Sequence, residues 1–169
     1  MTSPAPDPSR TGGAGSVRAE PDRSRSLTYR VDARSTASVE QVWPLLGEAA
    51  RWREWSFLTR SELIREGTPD PDGVGAVRHF TRYGIGSREE VLVWDAPHHL
   101  GYRILSGFPV RNYRADVTLE ETGTGTRIEW SGSFEPKWPG TARLLGFFLP
   151  RMMQRFADGV ARYAETQAQ

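Results

Sequence analysis

The stretch LTYRVDARSTASVEQVWPLLGEAARWREWS, Leu27–Ser56, decides how the rest of the chain is read. Its first nine residues alternate, with Leu27, Tyr29, Val31 and Ala33 against Thr28, Arg30, Asp32 and Arg34, the period of a half-buried strand. At Ser38 the period changes. Val39, Val42, Trp43 and Leu46 fall on one helical face, and Gln41 stands three residues after Ser38, as in a capping box. Pro44 deprives a helix of a hydrogen bond, so a short or bent helix is expected, followed at Gly47 by a second small helix over Ala49 to Trp55. A strand, then two small helices carrying Trp43, Trp52 and Trp55, is the opening of the domain. Trp43 is read as an anchor against a sheet, Trp52 as half covered and Trp55 as a ring at a cavity mouth.

Downstream, strand patterns and turn chemistry alternate. SELIREG precedes TPDPDG; VGAVRHFTRY ends at GIG; REEVLVWD ends at Ala96-Pro97; HLGYRILS ends at GFP. RNYRADVTLE and TRIEWSGSF flank ETGTG as a hairpin, with Tyr113, Ala115, Val117 and Leu119 on one face and Ile128, Trp130 and Phe134 on the matching one. After Pro139, Leu145, Leu149, Met152, Phe156, Val160 and Tyr163 recur at helical spacing, giving one long terminal helix with a bend expected at Pro150. This order reads as α+β: an antiparallel meander with one face covered by the last helix.

Upstream, Met1–Ser26 holds four prolines and three glycines in TSPAPDPSRTGGAGSVRAEPDRSRS and no aromatic residue, the composition of a disordered tail. Residues 27–166 are expected to form a single domain. The chain has no cysteine, which removes disulfides, thiol nucleophiles and thiolate-bound zinc. From Leu27 onward 18 basic and 18 acidic residues cancel, which argues against nucleic acid as the main partner while leaving room for a clustered patch inside the neutral sum. No run reaches the roughly 18 apolar residues of a membrane span and no signal-peptide core is seen, so the expected location is cytoplasmic, with transient membrane contact at most. Oligomeric state is not encoded in any pattern here.

The landmarks Val42-Trp43, Trp55, Gly75, Glu90, Trp94-Asp95-Ala96-Pro97, Tyr102, Gly107, Pro109, Tyr113, Gly125-Thr126, Trp130, Phe134-Glu135-Pro136 and Pro139-Gly140, taken in this order, resemble the polyketide cyclase/dehydrase and lipid-transport family of the START-like, helix-grip superfamily, SRPBCC. The resemblance implies a curved seven-stranded antiparallel sheet wrapped around the C-terminal helix, two small helices after the first strand, and an internal apolar cavity. Pro44 and the pair His98-His99 depart from the common pattern.

A curved sheet and one helix cannot touch along their whole length, so large side chains must fill the gap or line it. The lining candidates are Trp55, Phe80, Tyr102, Tyr113, Trp130, Phe134, Phe148, Met152 and Phe156, each with plain core packing as its alternative. Candidate acid/base groups are His79, Glu90 and Tyr102, with Arg78, Arg88 and Arg103 as further polar groups. The strand parity of His79 and Glu90 is open at this point. His98 and His99 point opposite ways on an extended chain, so no metal site is expected, and no cofactor motif is present. Three functions compete: binding of a small lipid- or polyketide-like molecule, a polyketide cyclase, aromatase or dehydratase using His79 or Glu90, and an interaction module using an apolar patch near Phe147.

Overall fold

A computed structural model describes residues 26–168. The tail reading of Met1–Ser26 lies, apart from Ser26, outside the described residues. The chain runs β1 (Leu27–Ser35), α1 (Val39–Gly47), a 3-10 turn (Ala49–Arg51) leading into α2 (Trp52–Trp55), β2 (Arg60–Arg65), β3 (Val77–Arg82), β4 (Ile85–Asp95), β5 (His99–Ser106), β6 (Val110–Thr122), β7 (Gly125–Pro136) and α3 (Ala142–Gln167). The seven strands form one antiparallel sheet in the order β1-β7-β6-β5-β4-β3-β2. Because β1 closes onto β7, the first and last strands meet and α3 packs chiefly across β1. This is the helix-grip fold.

Local chemistry explains the elements. The Ser38 backbone N–H donates to Gln41 Oε1 at 2.9 Å, so the side chain of Gln41 caps the entry to α1. Pro44 sits in the last turns of α1, which nonetheless continues to Gly47, its last buried residue. Tyr83 and Gly84, with φ of 51° and 83°, make the two-residue turn between β3 and β4, a geometry that follows the twist of the flanking strands. α3 is unbroken across Pro150.

The core lies between the concave face of the sheet and α1, α2 and α3. Trp130, Phe134, Leu45, Leu46, Leu100 and Ile128 are fully buried there. Gly132 has a close-approach role: a Cβ on it would lie 2.5 Å from the hydroxyl of Tyr29, its cross-strand partner. Only glycine leaves the Tyr29 ring that path across the sheet.

Candidate functional site

Antiparallel pairing brings the β3–β4 turn, the β5–β6 loop and the β7–α3 connection to one end of the sheet. At this end the sheet and α3 do not close on each other. A cavity of about 410 Å³ enters there and runs inward between β3, β4, β5 and α3, a size ordinary for ligand pockets. Tyr83, Ile85, Arg82, Phe57, Leu58 and Phe108 stand around its outer part; Phe80, Ile104, Leu149, Met152, Met153 and Phe156 form its sides; Trp52, Tyr113, Trp130 and Glu89 line it further in.

Of the side chains singled out from the sequence, Phe80, Tyr113, Trp130, Met152 and Phe156 come together in this wall. Tyr102 does not line it. It is buried one layer behind, where its hydroxyl accepts from Trp130 Nε1 at 3.0 Å. Phe134 is packed in the core away from the cavity. Phe148 corrects the expectation outright, being 59% exposed on α3. Trp52, expected half covered, and Trp55, expected at the cavity mouth, are both buried, at 2% and 7% exposure. The 3-10 turn before α2 rotates the phase, so Trp52 stacks on Phe80 at 4.5 Å and lines the cavity, while Trp55 is buried behind it with Nε1 donating to the Leu45 carbonyl at 2.8 Å.

The parity question on β3 and β4 also resolves. His79 faces the outer side of the sheet, with its Nδ1 3.1 Å from Glu62 Oε1. Glu90 faces outward too, accepting from Arg65 Nη2 at 2.8 Å and from Arg103 Nε at 2.7 Å. Neither side chain lines the cavity, so the expected acid/base candidates are absent from it. Arg88, paired opposite His79, is outside as well.

The groups that do face inward are their neighbours, Arg78 and Glu89, which stand directly opposite each other on β3 and β4. They do not form an ion pair. The Arg78 guanidinium reaches past the strand to the end of α1, donating to the Gly47 carbonyl at 2.8 Å, the Leu46 carbonyl at 3.3 Å and the Asp72 carbonyl at 3.4 Å. Glu89 turns into the cavity and accepts from the Ser87 hydroxyl at 3.0 Å. Burial pushes its carboxyl up to about 7, against the smaller pull of the Ser87 hydrogen bond and the Arg78 charge. A carboxyl among apolar walls with one side-chain partner is a group that exchanges protons near neutral pH and keeps bonding capacity for a guest.

Beside it lies a phenol cluster. The Tyr29 and Tyr113 hydroxyls are 2.5 Å apart, and Tyr113 also reaches Met153 Sδ at 3.8 Å. Burial, reinforced by one another and by Glu89, raises all three phenols, Tyr29, Tyr102 and Tyr113, above the usual tyrosine range. They stay protonated donors. Tyr113 faces the cavity in step with Ala115, Val117 and Leu119 along β6, and the irregularity in pairing falls just before it, at Asn112, whose φ is 50°. Among the described residues no group of three His, Asp or Glu is placed to hold a metal ion, and no helix is long and apolar enough to cross a membrane.

Comparison with known proteins agrees with this fold. None of the curated sequences compared matches the chain. Among solved structures, a norcoclaurine synthase point mutant from Thalictrum flavum, bound to a transition-state analogue, superposes with a TM-score of 0.65 at 14% identity, covering 85% of this chain and 97% of its own. Ara h 8.0201 superposes with a TM-score of 0.64 at 14% identity, over 83% and 99% of the two chains. XoxI from Bacillus cereus gives 0.59 at 24% identity, over 85% and 94%. These superpositions establish a shared fold. Residues 17–165 match the family described as polyketide cyclase / dehydrase and lipid transport, and with nearly the whole chain inside that match, the chain belongs to this family.

Proposed function

We propose that the chain binds a small hydrophobic molecule, lipid- or polyketide-like, in the cavity between sheet and α3. The observation that carries this reading is a cavity of about 410 Å³ with apolar walls and a single carboxyl, Glu89, among its inner lining residues. Burial of the guest supplies affinity at roughly 25 cal/mol per Å² of apolar surface, and Glu89 with Tyr113 orients a polar end. The test uses the apolar dye N-phenyl-naphthylamine, whose fluorescence rises on leaving water. The dye is expected to bind with one site per chain and to receive energy from Trp52 and Trp130 in the wall. Filling the space with Met152→Trp or Ile104→Trp is expected to weaken it by about tenfold or more. Full-affinity binding to either variant, with a wild-type melting curve, would count against the cavity as the site.

A second reading, proton transfer on a bound carbonyl compound, is favoured by the position of Glu89 and its proton affinity near neutrality. The family description includes cyclases and dehydrases. On this reading Glu89 removes a proton from the carbon beside a carbonyl while Tyr113 donates to the developing enolate oxygen. An aryl diketone probe in deuterated water then exchanges that proton faster with the protein than without it, and Glu89→Gln abolishes the acceleration while retaining the probe. Equal exchange rates in wild type and variant remove this reading and leave the first one standing.

A further inference from the structure

The described chain is electrically polarised along the sheet. Three segments meet at the open end: 82–88 at the β3–β4 turn, 103–114 around the β5–β6 loop, and 137–157 leading into and along the first half of α3. They lie against one another: a Cβ on Gly107 would meet the Gly86 carbonyl at 2.0 Å, and Arg82 and Arg155 both stand over the Phe57 ring, at 5.4 and 5.3 Å. These segments contain nine basic residues and no acidic one. From Leu27 onward the other nine basic residues share the remainder with all 18 acidic ones. Two of the nine, Arg103 and Arg114, are held by Glu90 and Asp116 on the outer face. The other seven, Arg82, Arg88, Arg111, Lys137, Arg143, Arg151 and Arg155, make no ion pair among the described residues. Glu135, which borders this end on β7, is held by Asn112 at 3.0 Å.

The same end carries the apolar surface. Tyr83 and Ile85 at the turn are 81% and 78% exposed, and Trp138, Leu144, Phe147 and Phe148 are each more than half exposed. Leu144, Phe148 and Met152 are spaced by four on α3, so the exposed Leu144 and Phe148 continue the row that lines the cavity. Five of the six cation-over-ring pairs among the described residues lie here, including Lys137 on Trp138 and Arg151 on Phe147 at 3.5 Å. An exposed patch of this kind marks an interaction surface. Cations laid on aromatic rings, with aliphatic tips between them, suit a bilayer interface, where the rings sit at headgroup level and the charges meet anionic lipid. A nucleic-acid partner would use the charges but has no need of Ile85, Leu144 and a row of outward rings.

We propose that the open end of the fold is a docking surface for anionic lipid bilayers, which sets the cavity mouth against the membrane. The contact is peripheral and reversible, and does not rest on what the cavity holds. It is tested with the full chain and no ligand, by sedimentation with vesicles of phosphatidylcholine alone or mixed equally with phosphatidylglycerol. The expected result is binding to the mixed vesicles only, weakened by added salt as exposed charges are screened. Arg143→Gln with Arg151→Gln is expected to lower the affinity by about tenfold or more, since each cation near an anionic surface contributes roughly fivefold. Leu144→Asp with Phe148→Asp, both exposed and outside the cavity wall, is expected to abolish sedimentation while dye binding and melting temperature stay as in wild type. Equal binding to both vesicle types, unchanged binding of the Leu144/Phe148 pair, or retention on heparin or duplex DNA with no vesicle binding would each overturn the proposal. Because docking is read without ligand, its failure is distinct from failure of the cavity to bind the dye.

Discussion

Arg78→Ala is expected to lower folding stability by about 3–5 kcal/mol. The side chain is 1% exposed, and its guanidinium is the plug that joins three elements. It caps the C-terminal end of α1 through the carbonyls of Leu46 and Gly47, holds the 66–76 loop through the carbonyl of Asp72, and leaves from β3. A cation at the negative end of a helix is well placed, and the Asp72 carboxylate 4.0 Å from Nε adds to it. Yet burial outweighs these partners and holds the guanidinium below the usual arginine value, and Nε itself has no partner. Arg78 is therefore costly to bury and more costly to remove. Truncation takes the guanidinium donor from the Gly47 carbonyl, the Leu46 carbonyl keeping Trp52 Nε1 at 2.8 Å, strips Glu89 and Asp72 of a compensating charge, and opens a void beside Trp94, whose ring lies 6.0 Å from the guanidinium. Arg78→Lys keeps the charge but cannot fork across carbonyls of both helix end and loop, so a smaller loss of about 1–3 kcal/mol is expected. Urea denaturation of the three proteins at neutral pH measures the order. A value for Arg78→Ala within about 1 kcal/mol of wild type would show that the carbonyls find other partners.

The sequence leaves open which way His79 and Glu90 face and does not single out Glu89, and the reason is geometric. Period-two alternation gives two faces but not which is concave. On β3 the choice is set by the turn: the strand ends at Arg82 and resumes at Ile85, so Tyr83-Gly84, rather than the GIG triplet, is the corner. On β4 and β5 the pairing slips where Leu105 and Leu92 are left over, and each slip switches faces. A bulge has no residue signature in REEVLVWD, so Glu90 and Glu89 could not be told apart there. The helices show the same one-residue ambiguity. Met152 and Tyr163 fit the apolar stripe of α3 by spacing, but the buried seam uses Met153 and Ala164, leaving Met152 at the cavity and Tyr163 with its hydroxyl donating to Glu54 at 3.3 Å. By contrast, the capping box at Ser38, the hairpin around Gly123-Thr124 and the inward set Tyr113, Ala115, Val117 and Leu119 depend only on local chemistry and on unbroken alternation. They were legible for that reason.

Glu89→Gln is expected to stabilise the protein above neutral pH and to flatten its pH dependence. In the folded chain burial keeps the Glu89 carboxyl protonated up to about 7, whereas an exposed glutamate loses its proton near 4.5. Between those values the native state binds more protons than the unfolded state, so stability falls as pH rises through this window and is level above it. The gap corresponds to roughly 3 kcal/mol of native-state penalty once both states are ionised. Outward carboxyls such as Glu90, held below the usual range by the hydrogen bond from Arg103 and by Arg65, act at lower pH and in the opposite sense. Unfolding free energies from urea titrations are expected to drop by about 1–3 kcal/mol between roughly pH 5 and 8 in wild type, and by much less in Glu89→Gln. Parallel curves for the two proteins would place the titrating group elsewhere. The same proton connects stability to the cavity. A guest that donates a hydrogen bond or places positive charge against Glu89 favours the carboxylate, so its binding near pH 6 must release a proton. Isothermal titration in buffers of different ionisation enthalpy reads that release directly, and in Glu89→Gln it disappears even where the apolar walls still hold the guest.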